Sequence, residues 1–384
     1  MMRTRPHPFL SCLLAASAIV TPAWADDGDD LEEPAGRRPA AGEEGAPGFA
    51  PRDRKENMER GPVQELVYTR SDVKASEEKV AAIPGGFVIR EGKAFARYDA
   101  AGKNRKVVCE VEGKVADWLV ASDGIRFVVS ADGRVYSTLL DGGGEVELGK
   151  TAGGPLSCST GGWIAFADEK GGAVSVSPDG KTTRRATVPA GLKVTAAGAS
   201  ADGQRLFALL APVADAAATA MGAADFAGNA DVELKVVHSE AQATLHGLAV
   251  VAPKSRLVSR RVPTAGPAAM ESVLSIDPDG GKEFTLATAA KLGDPSLAPG
   301  GGLVWFAGKG VNGRMKVWRS EAQPSGTVNT ARGIVDCHEL FSFPDTDCLA
   351  PACLWKDPAM LFLEKGADGV AKVVRVTWKP ALVK

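Results

Sequence analysis

The chain has 384 residues, with 45 basic and 47 acidic side chains and a formal net charge of −2. That balance gives no electrostatic drive toward nucleic acid or an anionic membrane. Hydrophobic residues make up 45% of the chain, enough for a core, and its 44 glycines point to many tight turns.

Met1–Pro8 carries Arg3 and Arg5, and Phe9–Val20 is apolar. Thr21-Pro22-Ala23-Trp24-Ala25 ends in a small-x-small site followed at once by acidic residues. This is the order of a cleavable secretory signal over residues 1–25, with the cut between Ala25 and Asp26. The apolar run falls short of the ~20 residues that span a bilayer. No later stretch is apolar enough to cross one, so the mature protein is expected to be soluble, in the periplasm or secreted. Residues 26–62 are acidic at first and then rich in Pro, Gly and Ala, a composition that cannot offset its ordering entropy. They read as a spacer. The run Asp26–Glu33 lacks the alternating Asp spacing of a calcium loop.

Residues 63–384 read as one repeated domain. Apolar segments recur at Gly86–Ile89, Arg126–Val129, Trp163–Phe166, Arg205–Leu209, Leu303–Phe306 and Met360–Leu363. Turns precede four of them: Ser122-Asp123-Gly124, Thr160-Gly161-Gly162, Ser200-Ala201-Asp202-Gly203 and Pro299-Gly300-Gly301. The interval from Phe207 to Phe306 leaves room for one further unit, containing Leu248–Val251 and Val273–Ile276. A second series of Asp/Gly turns, Asp99–Gly102, Asp141–Gly144, Ser177–Gly180 and Asp277–Gly280, separates the later strands of the units. A period of roughly 35–50 residues built of short strands predicts an all-β propeller. The count is seven blades of four antiparallel strands, with six as the alternative.

The segments Trp163 and Trp305 occupy are second strands, and Trp318 and Trp378 fall in third strands. All four are expected to pack between neighbouring sheets. The last unit ends near Trp378 with no room for a fourth strand, while Val63–Thr69 alternates like one ahead of the first unit. That N-terminal strand is expected to complete the final blade and remove an open sheet edge.

Ser177-Pro178-Asp179-Gly180-Lys181 and Ser200-Ala201-Asp202-Gly203-Gln204-Arg205-Leu206-Phe207 resemble the Ser-Pro-Asp-Gly turn and apolar strand of TolB-type (PD40, WD40-like) repeats. The resemblance covers about residues 83–380. It implies a propeller and a role in protein–protein contacts in the cell envelope, and it carries over no active site.

Motifs for chemistry are scarce. His238, His246 and His338 lack metalloprotease spacing, and Cys337-His338 has no second ligand pair at zinc spacing. Structural or surface roles are expected for all three. There is no Gly-x-Ser-x-Gly elbow, P-loop or dinucleotide fingerprint. No catalytic residue, cofactor or metal ligand is assigned. Asp117, Asp294 and Asp357 are the acids that could meet at an axial mouth, as in propeller glycosidases or lactonases.

Two segments interrupt the repeat. Pro212–Asp231 reads as a short helix or flexible loop, and Gly333–Pro351 as a long connection between units. In a propeller both would decorate one face, where loops carry binding. Five cysteines follow the signal. Cys337 is expected to pair with Cys348, with Cys353 as the alternative partner, a bridge worth on the order of 3 kcal/mol. Cys109, on an outer strand, and Cys158, on an inner one, are expected to be small buried groups. The favoured reading is an exported, non-catalytic propeller that binds a protein or other envelope component through its loop-bearing face. The alternatives are a hydrolase using acids or calcium at the channel mouth and a structural assembly module. Nothing indicates the oligomeric state.

Overall fold

The computed structural model describes residues 2–3, 64–75, 77–226, 232–252, 255–264, 270–297, 303–309, 313–322, 337–341, 346–353 and 359–380. They form seven antiparallel sheets in a ring, a seven-bladed β-propeller, so the six-blade alternative falls away. From the axis outward, blade 1 is Ala81–Ile83, Gly86–Glu91, Ala94–Asp99 and Lys106–Val111. Blade 2 is Val115–Val120, Arg126–Ala131, Arg134–Leu139 and Val146–Lys150. Blade 3 is Ser157–Cys158, Ile164–Ala167, Ala173–Val176 and Thr183–Thr187, and Val232–Glu233 runs parallel to its outer edge. Blade 4 is Leu192–Ala199, Arg205–Pro212, Ala220–Asp225 and Lys235–Ser239. Blade 5 is Ala243–Val251, Arg256–Pro263, Glu271–Ile276 and Glu283–Ala289. Blade 6 is Ser296–Leu297, Leu303–Lys309, Met315–Glu321 and Cys337–Phe341. Blade 7 is Asp347–Cys353, Met360–Lys365 and Ala371–Pro380, completed by Gln64–Lys74.

That last pairing closes the ring as expected. Leu66 lies opposite Trp378, Tyr68 opposite Val376 and Arg70 opposite Val374, antiparallel along most of both strands. Without the N-terminal strand, the third strand of blade 7 would present its free backbone groups as a pairing edge.

Second strands are apolar along their length because each lies between two neighbouring sheets. Ile164–Ala167 is buried at every position, and Leu206–Ala211 likewise. Outer strands such as Thr183–Thr187 alternate toward solvent. The core is therefore distributed as seven layers, one at each contact between adjacent blades. The layer between blades 1 and 2 packs Phe95, Trp118 and Phe127, with the Phe95 and Phe127 rings 4.7 Å apart. The layer that joins the last blade to the first holds Phe87, Ile89, Leu361 and Leu363. Burial of one such side chain contributes about 1.5–3 kcal/mol, so these layers hold the ring together. Trp163 lies in the layer between blades 3 and 4, Trp305 between 6 and 7, and Trp318 against the layer between 5 and 6. The Trp378 side chain is outside the described residues.

Two expectations are corrected. Pro212–Asp231 holds no helix among its described residues: Ala220–Asp225 is the third strand of blade 4, paired along Arg205–Leu210. Its small side chains permit close stacking, since a Cβ on Gly222 would lie 3.0 Å from Leu210 Cδ1. Among the described residues, 213–219 connects the second strand of blade 4 to the third. The described residues of Gly333–Pro351 are likewise mostly sheet, with Cys337–Phe341 as the outer strand of blade 6 and Asp347–Pro351 inside the inner strand of blade 7. Its polar and cysteine-rich composition concealed that pattern. The second strand of blade 5 was also obscured, because it opens on Arg256. That side chain is 5% exposed and donates to Ser275 Oγ at 2.8 Å and to the Ser275 and Lys282 carbonyls.

Candidate binding channel

Strands in each blade alternate direction, so inner and outer turns emerge on one face. Links between blades and the loops joining second to third strands emerge on the other. The turn face is built from local side-chain bonds. Ser200 Oγ donates to Asp202 at 2.6 Å and accepts from the Arg205 amide at 2.9 Å. Ser177 and Asp179 repeat the pattern in the outer turn of blade 3. These hydroxyls hold the Asp179 and Asp202 carboxyls below the usual carboxylate range. Arginines that open second strands then reach across to the next blade. Arg126 of blade 2 donates to the Gly162 and Pro178 carbonyls of blade 3, and Arg205 of blade 4 forks onto Asp279 of blade 5 at 2.7 and 2.9 Å.

The inner strands of all seven blades enclose an axial channel of about 990 Å³. Small residues, including Ala121, Ala197, Ala199, Ala249 and Ala352, make up much of its lining. Inner strands of neighbouring blades share no ladder, and side chains tie them instead. Ser157 Oγ of blade 3 donates to the Ala197 carbonyl of blade 4 at 2.7 Å. Ser296 Oγ of blade 6 donates to the Pro351 carbonyl of blade 7 at 2.8 Å, and Cys353 Sγ returns to the Leu297 carbonyl at 2.9 Å. Cys158 Sγ accepts from the Ser122 amide at 3.3 Å, and burial pushes its thiol pKa up.

Charge gathers where the inner strands begin, at the mouth on the loop face: Glu78, Lys79, Asp117, Lys291 and Asp294 line it together with His246. Asp117 pairs with Lys79 and accepts from the Leu156 amide at 2.7 Å. Lys79 also lies 5.3 Å from the centroid of the Trp118 ring. Asp294 accepts from Arg260 Nε at 2.9 Å, and Arg260 is held in turn by Glu271 and the Leu292 carbonyl. Asp117 thus bridges blades 1 to 3, whereas Asp294 braces blade 5 against blade 6. The structure does not bring these two acids together, and neither joins a cluster of three metal-ligating side chains among the described residues. Asp357 lies outside the described residues.

The loop between the second and third strands of blade 4 also reaches the mouth. Residues 213–219 begin with Val213, which is 60% exposed, and carry Ala218, bridged to Leu245 of blade 5. The Leu245 amide donates to the Ala218 carbonyl at 2.8 Å, and Ala216 and Ala217 border the channel. Lys291 and Lys79 were not singled out from sequence, and His246 was expected only to have a structural or surface role. Their signal was position, at the starts of inner strands, and it becomes readable once blades are aligned.

Cys109 is buried on the outer strand of blade 1, its thiol pushed up to about 12 by burial. Cys348 is buried in the inner strand of blade 7. The Cys337 side chain, the Ala25–Asp26 junction and the spacer 26–62 lie outside the described residues. Among the described residues no helix is long and apolar enough to cross a membrane.

No family model matches the chain, and no curated protein matches it. Solved structures do. A chain of hydrazine synthase from Kuenenia stuttgartiensis aligns with a TM-score of 0.53 at 15% identity, over 82% of this chain and 98% of that one. Oligogalacturonate lyase from Vibrio parahaemolyticus aligns at 0.51 and 9% identity, over 82% and 91%. The β-propeller domain of Cps50 (Swd1) from Myceliophteria thermophila aligns at 0.50 and 11%, over 81% and 98%. The likeness is one of fold. Proteins with enzyme names stand beside a propeller domain with none, and a shared ring does not transmit an activity. The propeller expected from the TolB-type repeats is the architecture found.

Proposed function

We propose that this chain is an exported, non-catalytic propeller that binds a protein or other cell-envelope component on its loop face. The observation that carries the reading is loop 213–219, which exposes Val213 and sets Ala216, Ala217 and Ala218 at the channel lining. An apolar loop on a rigid ring, next to a charged mouth, offers a partner both an anchor and a polar rim. The engaged state of Asp117 and Asp294 favours structural work for these acids over hydrolysis. The export signal at residues 1–25, the spacer 26–62 and the Cys337–Cys348 bridge belong to the same proposal.

Site-specific photocrosslinking tests it. A crosslinker at position 213 should capture a discrete partner from an envelope fraction. The same group at Ile125, 57% exposed on the turn face, should not. Replacing 213–217 by a Gly/Ser loop should abolish capture. Equal capture from both faces, or capture that survives the loop exchange, would overturn the assignment. Deleting 335–350 is unsuitable as a test, because it removes strand residues of blades 6 and 7.

A further inference from the structure

On the outer rim, blades 4 and 5 bring three ligand-type side chains together, among them His238, for which the sequence suggested only a structural or surface role. His238 is in the outer strand of blade 4, Glu240 follows that strand, and Glu283 opens the outer strand of blade 5. One ligand atom from each lies within 4.8 Å of the others. A bulge opposite Met221 and Gly222 re-aims the end of the His238 strand, and the Glu240 amide is anchored on the Thr219 carbonyl at 2.7 Å. We propose that His238, Glu240 and Glu283 form a zinc-class divalent cation site that clamps blade 4 to blade 5.

The imidazole faces a carboxylate on each side: Nε2 is 3.1 Å from Glu240 Oε1, and Nδ1 is 3.7 Å from Glu283 Oε2. A neutral ring carries one N–H, so it can donate to only one of them. The other nitrogen then sets a lone pair against an oxygen, an opposition that a shared cation removes. Glu240 has a side chain only 9% exposed, and its second oxygen forms an ion pair with Arg261 Nε at 3.0 Å. That contact acts as outer support for a ligand and leaves Oε1 for the ion. Two carboxylates against one guanidinium leave one negative charge to meet a divalent cation. Glu283, 40% exposed, keeps an entry path and room for a water ligand. Bonds of about 2.0–2.1 Å set tetrahedral ligand atoms roughly 3.3 Å apart, a rotamer-scale closure from the present spread. One imidazole with two carboxylates suits zinc-like ions, whereas calcium demands six or more oxygens. None of the three residues lines the channel, so the site stands apart from the binding proposal.

Isothermal titration of the full, untagged, chelator-treated chain with zinc chloride tests it. One equivalent should bind saturably and raise the melting temperature, and calcium should not substitute. His238→Ala and Glu283→Gln should each weaken zinc binding by about tenfold or more, while His246→Ala, at the channel mouth, should not. If His238→Ala fails to fold, the conservative Glu283→Gln at the partly exposed rim decides. The proposal is overturned by absence of saturable binding at millimolar zinc. It is equally overturned by binding that both rim variants leave intact, which would place zinc on the cysteines.

Discussion

The two faces of the ring solve different problems. On the turn face, Ser or Asp side chains cap the chain reversals, and Arg126 and Arg205 step across to the following blade. On the loop face, the links have no common device. Gly92-Lys93 and Asp132-Gly133 are minimal turns, whereas 213–219 runs long and leans on blade 5. The lesson is a division of labour. The turn face repeats one kind of stitch from blade to blade, whereas the loop face is tied at the mouth by individual pairs such as Asp117 with Lys79 and Asp294 with Arg260, and the loops between second and third strands are left free to vary.

That contrast can be broken at several points. The largest effect should come from deleting 64–74, which leaves blade 7 with a bare edge and opens the layer between blades 7 and 1. The expected result is loss of a cooperative melt and aggregation, read by scattering and circular dichroism. Next is Trp118→Ala between blades 1 and 2, where the side chain is 1% exposed. It should cost about 3–5 kcal/mol in chemical denaturation. On the turn face, Gly203 has φ +66°, and a Cβ there would lie 2.1 Å from Trp163 Cε2. Gly203→Ala combines left-handed strain with overpacking and should cost about 2–4 kcal/mol. Arg205→Ala removes one inter-blade stitch with largely exposed partners and should cost about 1 kcal/mol.

Acid sharpens the comparison further. The Ser200 hydroxyl lowers the Asp202 carboxyl from the ordinary value of 3.8. A depressed folded-state pKa contributes stability that is present above 3.8 and lost as pH falls through the folded value. The difference in melting temperature between wild type and Asp202→Asn should therefore be full near neutrality and shrink below that pH. The smallest effect belongs to the loop face: a Gly/Ser exchange at 213–217 should move stability by no more than about 0.5 kcal/mol. A larger loss would mean that this loop is part of the framework.

Much of the ring was legible in the residues. Second strands read as unbroken apolar runs because both their faces are covered, and Asp/Gly turns mark reversals by backbone necessity. Blade 5 hid its second strand behind Arg256, Arg260 and Arg261; tertiary partners accept from the guanidinium groups of the first two, and Arg261 pairs with Glu240. The alanine-rich stretch 214–226 reads locally as helix or loop, since small side chains carry no strand signal of their own. Only the pairing of Ala220–Asp225 with Arg205–Leu210 makes it a strand.

Local sequence by itself determined the repeat, the turns and the closing N-terminal strand, because each rests on neighbouring residues and their hydropathy. Tertiary structure alone decided what the ionisable groups do. Asp117 and Asp294 are separated into bracing pairs, and His238, Glu240 and Glu283 are gathered from two blades. Convergence across a ring depends on blade count, strand twist and register, and these emerge only when the seven sheets pack against one another.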